Sequence, residues 1–192
     1  MTRKRRIDTA LIVAEAIQIA NAQGLDKVTL AAVASVLEVR IPSLYNHING
    51  LDDLHYRMGV WLVQSLGDVM RDAAVGQAGE DALRSIAYAY RAFVHQNPGL
   101  YHLLLRAPTA EQTELETAGE SIIQLLGTVL RPYQLTKEHL LHAIRLWRSM
   151  LHGFADIEVS GGFGLPLDID ETFRYLIDGL VVNITRFSVE DE

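Results

Sequence analysis

The chain has 192 residues, of which 49% are hydrophobic and 21% charged, enough apolar side chain to bury a core and too much for a disordered or low-complexity polypeptide. It contains no cysteine, which excludes disulfide scaffolds, Cys-ligated zinc, iron–sulfur clusters and thiol catalysis together. The formal charge of -7 argues against a polyanionic partner, but residues 1–48 carry six Lys/Arg against four Asp/Glu, so a weakly basic head precedes a strongly acidic remainder.

In chain order, the basic start from Met1 to Arg6 is followed by Asp8, Glu15, Gln18 and Asn21 where a signal peptide would need an apolar run, and no stretch is apolar enough for a bilayer. A cytoplasmic location and no membrane partner are expected. Beyond that point apolar residues recur at intervals of three and four, which predicts an all-α fold. The first helix starts at Asp8 or Thr9, both good N-caps, and stops at Gly24. Thr29 caps a second over residues 30–37, and a third, very short one starts at Ile41 with Pro42 in its first turn. After the break at Asn49 and Gly50, a long helix covers residues 51–75 and another 80–96, ended by Asn97, Pro98 and Gly99. A short apolar helix at 100–105 and a loop at 107–109 lead to three more, over 111–130, 136–159 and 169–189. The expected organisation is a three-helix head at 1–50 and a helical body at 51–192. The long helix is expected to be the only element joining body to head.

Helix, short helix, brief turn, short helix is the order of a helix-turn-helix, whose last member presents its N-terminal side chains to the DNA major groove. Residues Gly24, Leu25, Val28, Thr29, Leu30, Val33, Ala34, Leu37, Val39, Pro42, Ser43, Leu44, Tyr45, His47, Ile48 and Leu54 form a series that resembles the motif of the TetR family of transcriptional regulators, over about a quarter of the chain. Glu38 stands where the family has its turn glycine, and Leu51 where it has a lysine supporting the phosphate backbone. A residue other than glycine at such a turn is tolerated at some strain. The resemblance implies double-stranded operator DNA as partner. Arg40 and Ser43, with Ile41 and Pro42, begin the recognition helix and are candidates for base edges, Arg40 the better suited to guanine. Thr29, Tyr45 and His47 are candidates for phosphate, joined by the cations Arg3, Lys4, Arg5 and Arg6.

In the body, Leu140, Ile144, Trp147, Leu151 and Phe154, and then Phe173, Ile177, Leu180, Ile184 and Phe187, are spaced 4, 3, 4, 3, giving two apolar seams. Each seam can bury itself on the other within one subunit; as the last two long helices, they are expected to meet a second copy in a two-fold four-helix interface. Trp147, His152, Gly153 and Phe154 with residues 161–173 resemble the WHG regulatory domain of a subset of TetR-like regulators. Trp61, Phe93, Tyr101, His102 and Trp147 are candidates for lining an effector site, aromatics supplying area and Tyr101 and His102 polar contacts. The whole resemblance implies a homodimeric, ligand-responsive regulator, a repressor released from its operator by an unidentified small molecule. The competing reading is a helical-bundle enzyme or metal protein using His139, His142 or His152; against it, HExxH, GxSxG, Walker A and GxGxxG patterns are absent. No cofactor, no metal and no catalysis are expected.

Overall fold

Local chemistry starts and stops the first helix where the sequence predicts. In the computed structural model, which describes residues 7–104 and 111–189, the extended Asp8 (φ -140°) accepts the Leu11 N–H at 2.8 Å and begins α1, Thr9–Gln23. Gly24, at φ 96°, ends it, and its N–H donates to the Ala20 carbonyl at 2.8 Å. α2 (Leu30–Val36), α3 (Ile41–Leu44), α4 (Leu51–Ala74), α5 (Gly79–Gln96), α6 (Thr113–Val129), α7 (Lys137–Val159) and α8 (Ile169–Val189) follow. Three 3₁₀ segments, Leu25–Lys27, Pro98–Leu104 and Arg131–Tyr133, complete the regular structure, and there is no strand among the described residues. The segment after Asn97 is a 3₁₀ helix and not the short α-helix expected there.

Contacts group the chain into two compact units. The first comprises Met1–Val63 with Asn97–Leu115, the second Gln64–Gln96 with Glu116–Glu192. The division therefore falls inside α4, later than the residue 50 boundary expected from the sequence. Leu54 and Met58, in the first two turns of α4, are fully buried. In the first unit α1 packs against α2 and against the Pro98–Leu104 segment. That packing corrects the expectation that the long helix alone joins body to head, because Asn97–Leu104 follows α5 directly and belongs to the head's core. Leu100 and Tyr101 are buried there, Asn21 Nδ2 donates to Asn97 Oδ1 at 3.2 Å, and a Cβ on Gly99 would collide with the Ala20 carbonyl. Only glycine allows that approach.

The second unit is built on α5, α7 and α8, which pack on one another. Here the predicted dimer residues require correction. Ile144, Leu151, Phe154, Phe173, Ile177, Leu180 and Ile184 are all buried within the single chain, as is Trp147, and Leu140 is half-buried. A 4, 3, 4, 3 seam shows that one helix face is covered, not by what. With each such side chain contributing about 1.5–3 kcal/mol when buried, the two seams are part of this chain's own core.

Candidate nucleic-acid interface

Thr29, extended at φ -127°, caps α2 by accepting the Ala32 N–H on Oγ1 at 3.0 Å, leaving its exposed hydroxyl hydrogen able to donate outward. Val33 and Ala34 bury the inner face of α2. The chain then turns through Glu38 at φ 55°, a left-handed conformation in which a side chain is strained, and the Val39 N–H closes the turn on the Ala34 carbonyl at 2.9 Å. The motif alone located this strained position, since Glu38 stands where it has glycine.

Arg40 is the N-cap of α3; its carbonyl accepts the Ser43 N–H at 2.8 Å while its guanidinium is exposed. Ile41, Pro42 and Tyr45 are exposed too, Tyr45 by 57%, whereas Leu44 and Ile48 beneath them are buried. Ser43 and His47 are half-buried, and the His47 carbonyl accepts the Thr9 hydroxyl at 3.2 Å, fastening the end of this segment to the start of α1. An aromatic and two apolar residues thus stand out to solvent beside a cation on a rigid support. At the start of α4, Asp53 accepts the Asn49 N–H at 2.7 Å and binds Arg57 at 2.9 Å. Leu51 is half-buried, so the position of the family's lysine holds no cation. Arg3, Lys4, Arg5 and Arg6 lie outside the described residues.

The predicted effector residues are divided between the units. Trp61, exposed by 38%, exposed His102 and buried Tyr101 belong to the first, Phe93 and Trp147 to the second. The second unit holds a polar cluster that periodicity does not reveal. Tyr90 meets Trp147 edge-on at 5.7 Å between ring centroids, and its hydroxyl is 3.0 Å from His152 Nδ1. One residue further along α5, Arg91 binds Glu158 at 2.7 Å and Asp170 at 2.8 Å and lies 4.7 Å over the Phe173 ring, while His95 Nε2 reaches Glu158 at 2.9 Å. Hydrogen bonding from Arg91 pulls the Glu158 carboxyl below its ordinary range, against the opposing effect of burial and with help from His95. The only sequence signals for this cluster were a lone arginine and a lone histidine among apolar helix positions. His139 stacks on Phe187 and His142 lies 3.9 Å from Glu138; no group of three or more metal-ligating side chains occurs among the described residues.

Comparison with known proteins agrees with this architecture. The family model described as the tetracyclin repressor-like C-terminal domain matches residues 83–180. YobS of Bacillus subtilis, an uncharacterized HTH-type transcriptional regulator, is 35% identical over 178 residues, covering 90% of this chain and 92% of its own. Rv0681 of Mycobacterium tuberculosis, another uncharacterized HTH-type transcriptional regulator, is 28% identical over 187 residues, covering 97% and 85% respectively. Among solved structures, a single-substitution variant of TetR from Acinetobacter baumannii in complex with minocycline superposes with a TM-score of 0.72 at 17% identity, over 95% of this chain and 99% of that one. The helix-turn-helix head, the all-helical body and these matches together show that the chain belongs to the TetR family of ligand-responsive, DNA-binding transcriptional regulators.

Proposed function

We propose that the protein is a homodimeric repressor that reads a two-fold operator through α3 and leaves it when a small molecule binds the second unit. The observation that carries the DNA reading is the continuous exposure of Arg40, Ile41, Pro42 and Tyr45 over buried Leu44 and Ile48. Arg40 and Ser43 face base edges; Thr29, Tyr45, His47 and the arm from Arg3 to Arg6 contact phosphates. This work is done in the cytoplasm, where such DNA is met, and needs no catalytic step.

The copies meet through the faces of α7 and α8 turned away from their seams. Leu141, Arg145, Gly153 and Ile157 form one stripe at helical spacing, and Tyr175, Gly179, Val182 and Arg186 the other; Tyr175 is 59% and Val182 52% exposed. Among the described residues, nothing beyond the helix's own neighbouring backbone lies within 4 Å of where a Cβ would stand on Gly153 or Gly179, room for a second copy to approach. A two-fold axis would repeat both stripes.

The effector site is assigned to the second unit around Phe93 and Trp147, the latter in the stretch that resembles the WHG domain. That a neighbour of the same fold was solved with minocycline supports a small-molecule reading of the body. α4 runs unbroken from Leu51 to Ala74 through both units, and the segment after α5 rejoins the head, so occupancy has two routes to α3. A coupling of about 1–3 kcal/mol, roughly 5–150-fold in operator affinity, suffices.

Selection of bound duplexes from a random pool tests the proposal. An inverted repeat with half-sites about 34–36 Å apart is expected. Arg40→Ala relaxes one base position in each half-site by about 1–3 kcal/mol. A selected site without inverted symmetry, or equal losses on chosen and random DNA for Arg40→Ala, overturns the assignment.

A further inference from the structure

Trp147 is 2% exposed, and its indole Nε1–H is buried without a hydrogen-bond partner among the described residues. Buried polar groups are paired in the great majority of folded proteins, and an unpaired donor bears its full desolvation cost. A purely apolar side chain would bear no such cost, so hydrophobic burial alone does not account for an indole donor here. Its surroundings are aromatic and amphoteric: the Tyr90 ring stands edge-on to it, with the Tyr90 hydroxyl 3.0 Å from His152 Nδ1, and Phe93 lies buried about one turn further along α5. Binding sites combine apolar walls with a few fixed polar groups in this way. The cation adjacent to Tyr90 in the chain is already committed, since Arg91 is held by Glu158 and Asp170 and covered by Phe173. His95 is likewise turned to Glu158. An anionic ligand would therefore enter a region whose positive charge is neutralised.

We propose that the Trp147 indole N–H is the hydrogen-bond donor for the effector, and that the effector is an uncharged apolar molecule bearing a carbonyl oxygen. Tyr90, edge-on to the same ring, and His152, 3.0 Å from the Tyr90 hydroxyl, supply the further polar groups that orient the effector. The proposal rests on the reading that the second unit takes a small molecule.

Three naphthalenes of nearly equal shape test it on the full chain: 2-acetylnaphthalene, its hydrocarbon isostere 2-isopropylnaphthalene, and the anion 2-naphthoate. In protein labelled with ¹⁵N-tryptophan, the two indole signals are assigned with Trp61→Phe. The acetyl compound moves the Trp147 signal and binds roughly five- to tenfold more tightly than the isopropyl compound, with naphthoate weaker than the ketone. In Trp147→Phe that preference falls below about twofold. A Trp147 signal unmoved while the ketone saturates, or a preference that persists in a folded Trp147→Phe, refutes the donor role and leaves the effector reading standing. Naphthoate as the tightest binder refutes the uncharged class. Failure of all three to bind in the second unit overturns the effector reading and the proposal together. Should Trp147→Phe not fold, the signal shift in the parent protein decides.

Discussion

Arg91 offers the sharpest test of what holds the body together. Its side chain is 13% exposed, and its partners differ in kind: Glu158 is 9% exposed, Asp170 80%. The Asp170 bridge is solvated and contributes at most about 1 kcal/mol. Removing Arg91 leaves a nearly buried carboxylate with only His95, 2.9 Å away, as its partner, and breaking a buried pair from one side costs about 3–5 kcal/mol. Arg91→Met keeps the apolar stem but loses the guanidinium that lies over Phe173, so a loss of about 3 kcal/mol is expected near neutral pH. Adding Glu158→Leu removes the stranded charge and restores stability to within about 1 kcal/mol of the parent. Acid provides a second check. In the parent, the Glu158 carboxyl is lowered chiefly by Arg91, so its contribution is complete above the ordinary carboxylate range and lost as pH falls through the depressed value. In Arg91→Met, burial remains to push the same carboxyl upward, opposed only by His95, and protonation relieves the stranded charge. The gap between the two proteins therefore narrows as pH falls toward about 4.3. Urea unfolding followed by circular dichroism at several pH values measures it. A neutral-pH loss below about 1 kcal/mol, or a gap undiminished in acid, refutes the reasoning.

Three further outcomes are expected. Glu38→Gly relieves the left-handed strain at φ 55° and raises stability by about 0.5–1 kcal/mol, read from the melting temperature; a lower melting temperature would show that the glutamate side chain repays its strain. Tyr175→Asp with Val182→Asp yields a folded monomer, whereas Ile177→Asp with Leu180→Asp unfolds the body, because the first pair is exposed and the second is core; sedimentation and circular dichroism distinguish them. Deleting residues 1–6 flattens the dependence of DNA affinity on salt, each arginine or lysine that meets a phosphate having released about one counterion; an unchanged slope would assign the arm to solvent.

Much of the head was legible in the residues themselves. Caps and stops are local chemistry: Asp8 and Thr29 bond amides three residues on, and Gly24 adopts a positive φ closed to most side chains, so no distant partner is needed to place α1 and α2. The exposed candidates at Arg40 to Tyr45 followed from the same short-range pattern. The body was legible only as helices. The seams of α7 and α8 announce a buried face, but periodicity contains no information about whether α5, each other or a second copy covers it; packing against α5 decided that the seams are core. Likewise Gly99 reads as a helix stop, and only the closeness of α1 reveals it as a packing contact. Arg91 and Glu158 are 67 positions apart, and Tyr90 and His152 are 62 apart. Such pairs are selected by where helices lie after folding, since burying a charge or hydroxyl is tolerated only where the partner has already been brought near.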